Sequence, residues 1–248
     1  GGIIGFDKRI WESSASTVDN EAQLELSLIS KDGDQGYPGT ISTIVTYRFD
    51  DQNKLTITYL ATTDKTTVIN LTNHTYFNLD GHNSGSILDH EVMINASHYT
   101  PVDNTLIPTG EIAAVKGTPM DFQTSKPIGR DISIDDPQLS FGLGFDHNWV
   151  LNKSDENTIN LAATVYSPKT GKFINVYTDQ PGIQFYTGNF LDGSIKGKNG
   201  TFYNHRNAFC LETQHFPNSP NQHNFPTTEL RPGEQYKTTT IFEFGIKK

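Results

Sequence analysis

Along this chain, apolar residues recur at every second position far more often than at every third or fourth. The stretch EAQLELSL (21–28) alternates, and so do TISTIVTYRF (40–49) and KLTITYL (54–60). A period of two sends alternate side chains to opposite faces of a strand, one toward a core and one toward water. Further short runs lie at 91–95, 158–166, 172–178, 183–186, 209–212 and 236–244. They are rich in Val, Ile, Thr, Tyr and Phe and bounded by turn-forming residues, which marks them as strands. DDQN (50–53) stands between two alternating runs and predicts a hairpin. No segment keeps an i, i+3, i+4, i+7 apolar pattern for three turns, so only short helical turns are expected, near 127–132 and 137–141. The spacing predicts an all-β chain, a large antiparallel β-sandwich with few helical turns. No linker, repeat or low-complexity block interrupts it, so residues 1–248 read as a single domain.

Composition narrows the partners. Only 34% of the 248 residues are hydrophobic and 19% charged, so the surface must be rich in Asn, Thr, Ser and Gln. A net charge of -9 argues against nucleic acid and anionic membrane surfaces and for a neutral or weakly charged ligand. No apolar run is long enough to span a bilayer, and no signal-peptide pattern opens the sequence. The single cysteine, Cys210, lies in the apolar run AFCL (208–211) and reads as a buried thiol in a reducing compartment, which places the chain in the cytoplasm. Sequons begin at Asn70, Asn73, Asn95, Asn152 and Asn199, a number that chance explains in so Asn- and Thr-rich a chain.

Four stretches carry candidate chemistry. In LTNHTYFNLDG (71–81), His74 follows a strand-like run, TVINLT (67–72), and is surrounded by Asn73, Tyr76, Phe77 and Asn78. It is either a sheet-edge histidine satisfied by its neighbours or a general acid or base. In GLGFDHNW (142–149), Asp146 and His147 either form a turn or set a carboxylate beside aromatic rings, an arrangement that holds sugar hydroxyls. TDQPGIQFYTGNFLDG (178–193) is a turn-strand-turn whose amides and rings also suit hydroxyl recognition. In FCLETQHFPNS (209–219), Glu212 ends an apolar run. It is either an edge glutamate in water or a carboxylate raised by desolvation toward the range of a general base. No metal-ligand spacing, phosphate loop, dinucleotide glycine pattern or GxSxG occurs.

Taken together and in order, TNHTYFNLDG (72–81), TPVDNTLIPTGEI (100–112), GTPMDF (117–122), GFDHNWVL (144–151), QPGIQFYTGNFLDG (180–193) and LETQHFPNSPN (211–221) resemble the galactose mutarotase, or aldose 1-epimerase, family. GGIIGFDKRIW (1–11) and KDGDQGYPG (31–39) do so as well. The resemblance spans essentially the whole chain. It implies a β-supersandwich with an open cleft for a monosaccharide such as galactose or glucose. It also implies roles: His74 as catalytic acid, Glu212 as catalytic base, and Asp146 and Gln184 as sugar-binding residues, with Asn73 and Tyr76 beside them. Anomer interconversion through ring opening needs only an acid and a base, so no metal or other cofactor is implied. The family places an Asn-Gly-Arg-type loop and a second histidine ahead of the segment that here starts at Gly1. An upstream segment, or a separate chain, is therefore expected to complete the fold; the alternatives are an inactive fragment that needs that segment and a regulatory protein on the mutarotase scaffold. Other classes are a non-catalytic sugar binder on the same scaffold and a glycoside hydrolase using Asp146 and Glu212, which leaves the histidine setting unexplained. A hexose 6-phosphate epimerase would need a basic pocket, and no Arg/Lys cluster accompanies these motifs.

Overall fold

The computed structural model describes residues 1–153, 155 and 158–247. Its first strands are β1 (Glu12–Val18), β2 (Glu21–Ser30), β3 (Ile41–Phe49), β4 (Lys54–Thr63) and β5 (Thr67–Val68). Next come β6 (Glu91–Ile94), β7 (Ala96–Thr100), β8 (Ala113–Ala114) and β9 (Lys126–Pro127). The helix α1 (Pro137–Gly142) precedes β10 (Asp146–Leu151), β11 (Asn160–Tyr166), β12 (Lys172–Thr178) and β13 (Gly182–Tyr186). The series closes with β14 (Cys210–Gln214), β15 (Glu229–Leu230) and β16 (Tyr236–Ile246). A nine-stranded sheet has the order β1-β2-β3-β4-β16-β12-β11-β6-β9, a five-stranded sheet the order β14-β13-β10-β7-β8, and β15 pairs with β5. All pairings are antiparallel.

The alternating runs become the central strands of the large sheet. Ile41, Thr43 and Val45 of β3, and Ile57, Tyr59 and Ala61 of β4, are buried at every second position. The expected hairpin at 50–53 forms: the Asp50 carboxylate accepts from the backbone N–H of Gln52 at 2.8 Å and of Lys54 at 2.9 Å, pinning the turn. Both expected helical turns form too, as a 3₁₀ turn at Ile128–Arg130 and as α1. Asp136 caps α1 by accepting from Gln138 N at 2.8 Å, with Pro137 in the first turn.

Three elements differ from expectation. β1, ESSASTV, is polar and solvent-exposed on nearly its whole length, so it shows no alternation. It is an edge strand held to β2 through a two-residue turn at Asp19 and Asn20, both with positive φ. The run 67–72 stays a strand only through Val68. Beyond it, Ile69 N donates to Thr228 O and Leu71 N to the Tyr236 hydroxyl, so the ladder is lost to other partners and His74 sits in irregular chain. Asp146 opens a strand rather than a turn.

The two sheets share one core. Ile57, Val92, Val165, Ile174, Val176 and Phe242 of the large sheet join Trp149, Ile183, Phe185 and Leu211 of the small one in a single buried cluster. At its centre Phe122, Phe145, Trp149 and Phe185 meet edge-on or tilted, apart from the stacked pair Phe145–Phe185, with centroids 5.0–6.3 Å apart. The Trp149 indole N–H donates to Met120 O at 2.9 Å, so the largest buried ring has its polar atom satisfied. This packed layer makes the small sheet a rigid base for whatever its other face carries.

Candidate active site

Strands β10, β13 and β14 lie side by side, and their register builds two polar rows. Asn148 pairs with Gln184, which pairs with Glu212; Asp146 pairs with Tyr186, which pairs with Cys210. Because strand side chains alternate, these six share one face. His147, Trp149, Ile183, Phe185 and Leu211 take the other face, toward the core. Two glycines permit the close packing. At Gly182 a Cβ would lie 2.4 Å from Asn148 Oδ1. Gly144 (φ +136) leaves room for the Asn189 amide, which donates to Gly142 O at 2.8 Å and Phe145 O at 2.9 Å and so fixes the entry into β10.

His74 closes the end of these rows from its irregular segment. Its Nε2 lies 3.4 Å from Glu212 Oε1, and its Nδ1 lies 3.4 Å from Cys210 Sγ. The imidazole is half exposed, whereas the Glu212 side chain is only 10% exposed. Burial, followed by the charge of Asp146, raises Glu212 from an ordinary 4.5 to about 8. Burial also raises Asp146, opposed by the hydrogen bond that Gln184 Nε2 donates to Asp146 Oδ1 at 2.8 Å and by His74. Burial first, then the Glu212 and Asp146 carboxylates, push the Cys210 thiol upward and keep its proton on. Nε2 is the ring nitrogen that faces Glu212, and Nδ1 the one that faces the Cys210 thiol. Among the described residues, neither Asp146 nor Glu212 pairs with a lysine or arginine. The face is rich in acceptors and pairs its two carboxyl groups with no lysine or arginine among the described residues, which suits a neutral polyol and offers a phosphate no cation.

Flat surfaces flank the rows. The His74 ring lies 5.1 Å from that of Tyr76, Tyr76 lies 6.2 Å from Tyr186, and Tyr186 stacks on Phe190 at 6.2 Å. Tyr76 and Phe190 are each about half exposed, so their rings form an open shelf beside the carboxylates. Gln184 Oε1 and Asn148 Oδ1 are buried acceptors with no donor among the described residues. A rim of rings around unpaired acceptors and two carboxylates matches a ring with hydroxyls on its edges and C–H groups on its face.

Comparison with known proteins gives the family. The aldose 1-epimerase family description matches residues 1–243. The chain belongs to the aldose 1-epimerase family. It is 48% identical to the galactose mutarotase of Homo sapiens over 246 residues, which covers 99% of this chain and 68% of that protein. It is 39% identical to the aldose 1-epimerase of Escherichia coli K12 over 246 residues, covering 98% of this chain and 69% of the relative. Among solved structures, the aldose epimerase homologue from C. elegans superposes with a TM-score of 0.88 at 31% identity, covering 100% of this chain and 72% of that one. Galactose 1-epimerase from Lactobacillus acidophilus gives 0.87 at 30% identity, covering 99% and 69%. The antiparallel sandwich expected from the sequence is thus the fold of the family.

Of the six candidate site residues, the structure brings His74, Tyr76, Asp146, Gln184 and Glu212 together. Asn73 is different: its side chain is buried beside the Tyr59 hydroxyl, out of hydrogen-bond geometry with it, and forms no hydrogen bond with the other five among the described residues. His147 points into the core between Tyr99 and Trp149, where burial holds it down at about 4 and neutral. His215 is structural, bracketed by the Asn70 amide and bonded to Gln180 Oε1 at 3.0 Å. Sequence reasoning passed over Asn148 and Cys210 as members of the face and took Tyr186 only as part of a hydroxyl-reading stretch. The signal lies in counting by twos along DHNWVL and GIQFY from Asp146 and Gln184. Among the described residues, no helix is long and apolar enough to cross a membrane.

Proposed function

We propose that this chain interconverts the α and β anomers of a free aldohexose, galactose or glucose, with Glu212 as base and His74 as acid. The observation that carries the reading is the pairing at 3.4 Å of a desolvated, raised carboxylate with a half-exposed imidazole, at the end of an acceptor-rich face. Glu212 takes the proton of the C1 hydroxyl as His74 Nε2–H protonates the ring oxygen, and the C1–O bond opens. Rotation about C1–C2 presents the other face of the aldehyde. The C1 oxygen then takes the proton back from Glu212, and the ring hydroxyl returns its own to His74. Each positioned group contributes roughly 10²–10⁴-fold. The linear aldehyde is neutral, so no oxyanion site is demanded. Asp146, oriented by Gln184, accepts sugar hydroxyls, and Tyr76 and Phe190 cover an apolar face of the ring.

The reading extends to an upstream segment that completes the sugar site, and to the cytoplasm as the place of action. What supports the first is the greater length of the relatives, of which the matched part is 68–69%, together with apolar side chains left in water near the β1 end, Ile10 at 96% and Ile29 at 68% exposure. The fully buried, unpaired Cys210 agrees with a reducing compartment. Polarimetry of pure α-galactose tests the function. The chain accelerates decay to the anomeric equilibrium and Glu212→Gln does not. Equal acceleration by both proteins would refute the assignment of the base.

A further inference from the structure

We propose that His74, Cys210 and Glu212 form a binding site for a divalent cation of the zinc class, occupied in place of sugar. The sequence hides this site, because its histidine stands 136 residues from its cysteine. The fold gathers one donor atom from each residue within 4.8 Å of the others. Tetrahedral zinc with bonds of about 2.0–2.3 Å sets its ligand atoms about 3.3–3.6 Å apart. Sγ to Nδ1 and Oε1 to Nε2 are each already at 3.4 Å. The two contacts use different ring nitrogens, so a small rotation of the half-exposed imidazole brings one nitrogen to the shared centre. The same rotation admits the cation to Cys210, which His74 otherwise covers.

The donor set selects the metal. A thiolate, an imidazole and a carboxylate suit a borderline cation, whereas calcium and magnesium require shells made largely of oxygen. The surroundings favour positive charge. Glu212 is buried with His74 as its one polar partner among the described residues, and Asp146 adds a second carboxylate to the same face. On binding, the Cys210 thiol releases its proton to solvent as the metal–sulfur bond forms. The fourth position would take water. Mutual exclusion of metal and sugar rests on the function proposed above. The metal site itself does not.

The test titrates the full chain with Co²⁺, a coloured stand-in for zinc, and follows absorption. One equivalent is expected to give a thiolate-to-cobalt charge-transfer band with the intense visible bands of tetrahedral cobalt, and Zn²⁺ should displace it. Cys210 is the one cysteine in the chain, so a thiolate band from the unaltered protein identifies it without any variant. Cys210→Ser should abolish the band, and Glu212→Gln should keep the band while weakening binding by about tenfold or more. Saturating galactose should weaken the apparent Co²⁺ affinity at least several-fold. Absence of the thiolate band, or a six-coordinate spectrum of oxygen ligands, overturns the site. A thiolate band indifferent to galactose keeps the site and overturns the exclusion.

Discussion

Replacing Glu212 by Gln should remove the base and at the same time stabilise the fold, by an amount that depends on pH. In the folded chain the carboxyl titrates at about 8, against an ordinary 4.5 when exposed. Between those values the unfolded chain has released a proton that the folded chain still holds. The unfolded state then binds fewer protons, so stability falls as pH rises across this window and is flat on either side of it. The difference of about 3.5 units, at about 1.4 kcal/mol each, sets a ceiling of about 5 kcal/mol. Glu212 and Asp146 titrate as a coupled pair, and local relaxation softens the penalty. A gain of about 2–4 kcal/mol is therefore expected at pH 9 relative to pH 4.5. Glutamine is isosteric and carries no charge, so the stability difference between variant and parent should be small at pH 4.5, grow through neutrality and level off above pH 8. Urea unfolding followed by tryptophan fluorescence at a series of pH values measures it, since Trp149 is fully buried in the core. A difference that does not change with pH, or that shrinks as pH rises, would refute the claim that Glu212 is held protonated by its surroundings.

The same carboxyl predicts that kcat/KM for anomer interconversion falls about tenfold for each pH unit below about 8. Asp146→Asn removes the second cause of the shift, so the midpoint moves down but stays above 4.5 because burial remains, and sugar binding weakens; a pH-rate series on the variant checks both. Phe190→Ala should raise KM by about 2–10-fold with the melting temperature unchanged, since the ring is half exposed and serves only the shelf. Phe185→Ala, one residue from Gln184 but on the core face, should cost about 3–5 kcal/mol of stability in urea.

The large sheet was legible because β3, β4, β12 and β16 each bury one face and wet the other, and alternation is the direct trace of that asymmetry. β1 was not, since a polar edge strand has no face to bury. β10 was not, because Asp146 and Asn148 line one face while His147, a polar residue, begins the other, so DHNWVL starts with no contrast to read. Glu212 stood out as a carboxylate closing an apolar run, and the desolvation expected there matches its raised titration. The row Asn148–Gln184–Glu212 depends on the register of three strands, which only the long-range pairing sets. Asn73 shows the converse limit: in irregular chain neither period applies, and neighbouring side chains such as Asn73 and His74 can diverge without warning.

In β10, β13 and β14 every residue that faces the groove is flanked along the chain by one that faces the core. A single-residue insertion or deletion within these strands would turn Gln184 and Glu212 inward and send Phe185 and Leu211 out into water. Such length changes are therefore lethal to site and core alike. Variation in this face is expected as exchanges of one residue for another, with changes of length falling in the connections. Shifts in which hexose is preferred should accordingly trace to substitutions at the even positions 146, 148, 184, 186 and 210 and to remodelled loops around the shelf, with strand lengths and Glu212 held constant.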